Sequence, residues 1–389
     1  MQTKQSDRSI FLLTAGCFLA FFLFGFTDNL KGPTLPAMLA ELNIDYGVGG
    51  NIFFGEYLGF LISTLITGIL ADRFGLKIVM MLAGVLLLFG VGGYSSLQTP
   101  VLLGASLFII GLGLGAFELG PNSLIVSLHH ERKGLFLNLM AVMHGLGSMV
   151  APLFAGWLFG LNHTWRAIYR WDIALILFFI LFTVLLRFPK TDDTSQLDFR
   201  QIPRVAFKGQ LPWFYLAIMF YVSAEIGIAS WLVTFLQDAR GASVLASNQA
   251  LSLFFGMLMA GRLLGGFFVQ RVGYLRSILF ASIGAIACIG IGLFTPLAWL
   301  LSITGLFLSF IFPTITAAVS DAYTENINTT LGVLFTFAGI GGLLGPWLIG
   351  WASDVLGLET GFAVNLILAG LLTSSVIVLI KGRNDGTKT

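Results

Sequence analysis

In GLGLGAFELGPNSL, residues 111–124, a single charged side chain, Glu118, stands inside an apolar run that begins near Val101. Three further acids, Asp28, Glu56 and Glu225, lie within similar runs, as do Lys31, His144 and Arg262. An ionised side chain at a bilayer centre costs at least roughly 2.5–3.5 kcal/mol, so such groups face water, a partner or a bound ion. Burial favours the neutral form of a carboxyl, which then holds a proton at neutral pH and releases it when the site opens to water. A histidine exchanges protons in the same pH range. Asp28, Glu56, Glu118, His144 and Glu225 are therefore the candidate cation-coupling or substrate-binding residues. The bland alternatives are a packing carboxyl for Glu118 and a satisfied interior imidazole for His144. Asp28 and Lys31 share a helix face and can neutralise each other, while Lys31 can equally snorkel outward. Arg262, in GRLLGG, reads as structural. Asn29, Phe117, Asn122 and Trp231 are candidates for the substrate cavity, the two aromatics as surfaces on which a sugar stacks.

The elements that position these groups follow from composition. The chain has 389 residues, 57% hydrophobic and 10% charged, against about 25% charged in a soluble domain. It cannot cover a water-facing surface of its size and reads as a multi-pass, all-α membrane protein. Runs near the 20 residues a span needs occur at Ile10–Leu39, Val48–Leu70, Ile78–Tyr94, Val101–Leu128, Leu135–Leu161, Ile168–Leu186, Trp213–Leu236, Gln249–Val269, Ile278–Phe294, Leu297–Ser320, Leu331–Ala352 and Gly361–Ile380. The first is too long for a signal-peptide core and reads as a span. The polar stretch 187–212 splits the runs into two six-helix bundles, 1–186 and 213–389. With the N-terminus cytoplasmic, 16 Lys and Arg fall on the inside and only Arg166, Arg170 and Arg240 on the outside. Both termini are expected inside, in an inner membrane of bacterial type. A net charge of +2 suggests no nucleic-acid partner; the lipid bilayer and a small molecule are the expected partners, and the chain is expected to be a monomer.

The halves repeat. GILADRFGLK (68–77) parallels GFFVQRVGYL (266–275), APLFAGW (151–157) parallels GPWLIGW (345–351), and Pro121 finds a counterpart in Pro313. A duplicated six-helix unit is the expected build of a transporter that rocks one half against the other.

GILADRFGLK resembles the loop 2–3 motif of the major facilitator superfamily. The resemblance covers the whole chain and implies twelve transmembrane helices in two pseudo-symmetric bundles. It also implies a cytoplasmic gate at Gly68, Asp72, Arg73, Gly75 and Lys77, with the acid and the base holding the halves closed. The second copy carries Gln270 in place of the acid. FELGPNSL, LNLMAVMHGLGSMVAP, FYVSAEIGIASWL and PTI at 313–315 resemble the fucose–galactose–glucose:proton symporter branch. That resemblance implies sugar uptake driven by a cation gradient, proton or sodium, with Glu118 as a proton-linked or sugar-binding acid. Two positions depart from the branch: its span-1 acid falls on Gly32, one turn beyond Asp28, and a span-5 amide is replaced by His144. The rival reading is a proton-coupled exporter of drugs or lipids, for which four intramembrane acids, His144 and Asn122 are unusually polar.

Other signals carry less. GLGLG lies inside a span, where small residues permit close helix packing, and has no strand before it to make a nucleotide loop. The adjacent histidines of SLHHERKG point apart on a helix, so no zinc site is expected. Cys17 and Cys288 lie in separate runs and suggest neither a disulfide framework nor a metal cluster. Asn162-His163-Thr164 is a glycosylation sequon by pattern alone. No enzyme active site and no cofactor are expected.

Overall fold

The computed structural model describes residues 7–188, 208–323 and 327–386. Among them, 12 helices are long and apolar enough to cross a membrane. They are Asp7–Leu42, Tyr46–Phe74, Leu76–Tyr94, Pro100–Leu128, Lys133–Gly160, Trp165–Leu185, Leu211–Ala239, Val244–Val272, Tyr274–Phe294, Leu300–Ala322, Thr329–Leu356 and Leu358–Gly382, numbered here as spans 1–12. Phe89, Leu185, Phe267 and Phe294 are largely exposed on their outward faces, a surface that requires lipid rather than water. Of the expected linker 187–212, residues 189–207 lie outside the described residues.

Two expected single runs are interrupted. Span 1 breaks between Asp28 and Lys31, giving helices Asp7–Asp28 and Lys31–Leu42. The reason is local: Pro33 and Pro36 have no N–H to donate to the preceding turn and crowd it. Span 10 breaks in the same way between Leu308 and Ile311, just before Pro313. Span 7 ends in a short π-helical turn, Phe235–Ala239.

The chain divides into two compact units, Met1–Asn43 with Asn51–Thr194 and Ile44–Gly50 with Ser195–Thr389. Residues 44–50, including the first turn of span 2, belong to the second unit. Gly47 N donates to Asp354 Oδ2 at 2.8 Å, and Tyr46 Oη donates to Asp238 Oδ2 at 3.1 Å.

Each unit repeats one packing scheme. In the first, span 1 lies against span 5 and span 3 against spans 4 and 6; in the second, span 7 lies against span 11 and span 9 against spans 10 and 12. Small residues make the closest crossings possible. A Cβ at Gly25 or Gly147 would overlap a backbone carbonyl across the span 1–span 5 crossing, and one at Gly341 or Gly345 would do so across spans 7 and 11. The glycine run of span 4 works likewise: Gly111 and Gly115 face the backbone of span 2 at Glu56 and Phe60, while Gly113 faces Ala83 of span 3. Two more glycines turn the chain between spans with nearly identical geometry, Gly75 at φ 83°, ψ 157° and Gly273 at φ 87°, ψ 158°.

Candidate functional site

The break in span 1 creates a highly charged buried place in the first unit. Lys31 begins the second helix of that span and its side chain turns back along the first. Nζ lies 2.5 Å from Asp28 Oδ1 and 2.8 Å from Glu56 Oε2 of span 2. It also donates to Tyr57 Oη at 3.2 Å and sits 4.6 Å from the centre of the Tyr57 ring. The Lys31 and Glu56 side chains are only 4% and 3% exposed, so no solvent shell shares the charge. The contact to Glu56 is an ion pair by distance but not a directed hydrogen bond, and Oε2 accepts no hydrogen bond among the described residues. One ammonium thus serves two carboxylates.

The cluster belongs to the first unit alone. By the spacing of the two loop motifs Glu56 corresponds to Phe254, and the backbones agree: the Glu56 carbonyl faces Gly111, and the Phe254 carbonyl faces Gly305. At the equivalent place the second unit has a phenylalanine.

The other predicted coupling residues of the first unit, Glu118 and His144, lie at a different level. The Phe24 ring lies edge-on to His144 at 4.7 Å and is tilted against Phe60 at 6.1 Å. It forms an apolar layer one helical turn from Asp28 and Glu56. Glu118 lies seven residues beyond Gly111, the residue facing the Glu56 backbone, which is about 10 Å along a helix. Glu118 and His144 are both half-buried. Asn122 Nδ2 folds back onto the Glu118 carbonyl at 2.6 Å, in the turn containing Pro121.

Three sequence expectations need correction. Phe117 is fully buried, edge-on to Phe179 of span 6 at 4.9 Å, so it presents no exposed surface for a sugar to stack on. Trp231 is also fully buried and donates its indole N–H to the Pro346 carbonyl at 3.0 Å. Asn29 is buried and links spans 1 and 5, donating to Gly25 O at 2.9 Å and Ser148 Oγ at 3.0 Å. Of the two readings of Lys31, pairing holds and snorkelling does not: its ammonium lies against the Asp28 and Glu56 carboxylates.

The loop motif divides by role. Asp72 and Arg73 are exposed at the end of span 2, the arginine 5.3 Å from the Phe74 ring. Lys77 instead donates to the carbonyls of Val184 and Leu186 at 2.9 and 2.7 Å. That makes it a cap for the end of span 6, where unpaired carbonyls and the helix dipole both favour a cation, rather than a free gating charge. Gly75 is required by its positive φ, whereas a Cβ at Gly68 would meet nothing within 4 Å.

In the second unit Glu225 of span 7 meets Arg262 of span 8 at 3.7 Å, so the arginine read as merely structural is the partner of a predicted site acid. Sequence reasoning also passed over Asp172 of span 6, which is 1% exposed. Its signal was present, an acid in the second turn of a span, but it stands close to Arg166 and Arg170 and reads as part of a polar loop edge. Among the described residues no group of three or more His, Cys, Asp or Glu could hold a metal ion. Cys17 and Cys288 are free and buried.

Two helical bundles of the same internal plan, with ion pairs confined within apolar spans, define a multi-pass membrane carrier. Residues 17–323 match the Major Facilitator Superfamily, and the chain belongs to that family, which is one of transporters rather than enzymes. It is 24% identical to a glucose/galactose transporter of Brucella abortus over 94% of this chain and 93% of that one. It is 25% identical to the sodium-dependent glucose transporter 1A of Mus musculus, over 93% of each. Its fold is similar to that of the nucleoside transporter NupG, with a TM-score of 0.77, 17% identity and coverage of 96% and 98%.

Proposed function

We propose that the chain is a secondary active transporter working by alternating access, in which a cation gradient drives symport of a sugar or similar small polar solute. The observation that carries this reading is the shared ammonium: Asp28 and Glu56 both lie on Lys31. With both acids ionised the cluster holds an unbalanced negative charge inside an apolar bundle, an arrangement costing several kcal/mol. Taking up one cation removes the imbalance. A proton on the Glu56 carboxyl does so in place. A sodium ion would have to sit beside an ammonium that already occupies the position between the carboxylates. The geometry therefore favours a proton as the driving ion, while the mouse relative's name supports sodium.

The sugar is supported by the relatives named for glucose and galactose. Glu118, His144, Asn122 and Glu225 are the remaining candidates for substrate contact. Cytoplasmic termini and a bacterial inner membrane are part of the proposal and rest on the distribution of Lys and Arg.

The test uses purified protein in liposomes with labelled galactose and glucose under an imposed proton or sodium gradient. Accumulation under a proton gradient that collapses with a protonophore is the expected result. If neither sugar moves under either gradient while an amphipathic dye is expelled, the symport reading fails and the exporter replaces it.

A further inference from the structure

Asp172 plays no part in the cluster just described. Its Oδ2 accepts a hydrogen bond from Thr27 Oγ1 at 2.9 Å. Its Oδ1 is buried with no hydrogen-bond partner, and no ion pair reaches the residue, among the described residues. The titratable groups on the surrounding elements are engaged elsewhere. Asp28 of span 1 pairs with Lys31, and Glu41 pairs with Arg166. Tyr94 of span 3 donates to Met38 Sδ, and Tyr169 of span 6 meets Thr34 at 3.4 Å. His144 of span 5 packs edge-on to Phe24. A carboxylate here would have one hydroxyl in place of its hydration shell, and a buried charge so poorly served is neutralised in preference to being kept. Thr27 immediately precedes Asp28, so one turn of span 1 carries both the donor to Asp172 and the acid on Lys31.

We propose that Asp172 is a second proton-binding carboxyl of the first unit, coupled through Thr27 to the Asp28–Lys31–Glu56 cluster and exchanging its proton in the transport cycle. In the neutral state Oδ1 carries the proton while Thr27 donates to Oδ2. When the span 1 turn moves and water enters, the proton passes from Oδ1 to water and the carboxylate keeps the Thr27 bond. The cycling rests on the symport reading, whereas the proton site does not.

Infrared difference spectra of the purified full chain between acidic and alkaline buffer test it without any sugar. Wild type should lose protonated-carboxyl C=O intensity on alkalinisation; Asp172→Asn should remove one component of that loss and Glu56→Gln a different one. Thr27→Val and Asp28→Asn should each move the pH at which the Asp172 component disappears. Asp172→Glu covers the case in which the Asn variant does not fold, and must then shift that component's frequency. A difference spectrum that Asp172→Asn leaves unchanged, or an Asp172 component that moves with neither Thr27 nor Asp28, overturns the proposal. A band that Asp172→Asn removes but pH does not alter overturns the exchange. Because no sugar is present, failure of sugar accumulation in liposomes leaves this outcome untouched, and the two readings fall separately.

Discussion

Lys31 Nζ lies 2.8 Å from Glu56 Oε2 across the span 1–span 2 contact, while 2.5 Å away it holds Asp28 on its own span. Charge balance at this point differs among the single variants. Glu56→Gln leaves a balanced Lys31–Asp28 pair and should change thermal stability little, while gradient-driven accumulation is lost and sugar exchange without a gradient persists. Lys31→Met leaves two buried acids without a cation; breaking a buried pair costs about 3–5 kcal/mol, so its melting temperature should fall markedly. Adding Glu56→Gln to Lys31→Met should recover part of the loss. Melting curves with paired uptake and exchange assays check this, and accumulation that survives Glu56→Gln removes Glu56 from coupling.

Trp231 provides a second test, because its burial sets packing against sugar binding. Trp231→Phe keeps an aromatic ring but removes the donor to Pro346 O. The expected effect is a loss of stability of about 1 kcal/mol, with galactose affinity unchanged. Affinity measured by scintillation proximity and stability by thermal melting separate the two roles; a large fall in affinity at unchanged stability would restore the stacking role.

The two glycines of the loop motif should behave differently on substitution by alanine. At Gly75, and equally at Gly273, a side chain is forced into a positive-φ conformation that is essentially glycine's alone, which costs about 1–3 kcal/mol. At Gly68 a Cβ enters open space, so stability should hold. A Gly68→Ala variant that melts like wild type but transports slowly would place that glycine in motion rather than in folding.

His129 lies just past span 4, stacked on Phe136 at 3.6 Å and within 2.8 Å of Thr14 Oγ1. Burial holds its imidazole below the usual histidine value. The unfolded chain therefore takes up a proton at higher pH than the folded one, and the stabilising contribution is complete above about pH 6.5 and lost as pH falls below it. Melting temperature should drop less between pH 8 and pH 5 in His129→Gln than in wild type. Parallel curves would mean that the ring titrates as it does in the unfolded chain.

The number of spans, the twofold repeat and the family motif were legible because they rest on local signals: hydrophobic run length, recurring glycines and Lys or Arg at span ends. The breaks before Pro33 and Pro313 were encoded there too, in residues that cannot continue a helix, though apolar run length masked them. Side-chain direction was not legible. Phe117 and Trp231 have the types expected of a sugar platform, yet an apolar run does not show which face meets lipid, a neighbour or a cavity.

By itself the sequence determined that acids are placed inside an apolar bundle and that the bundle occurs twice. Tertiary structure alone decided which acids share a cation. Lys31 could follow its helix outward or turn inward, and the approach of span 2, permitted by Gly111 and Gly115 of span 4, brings Glu56 to meet it. The same dependence hid Asp172, which looks like loop-edge polarity until span 1 sets Thr27 against it. Burial and pairing are properties of neighbours distant in sequence, and only helix packing supplies them.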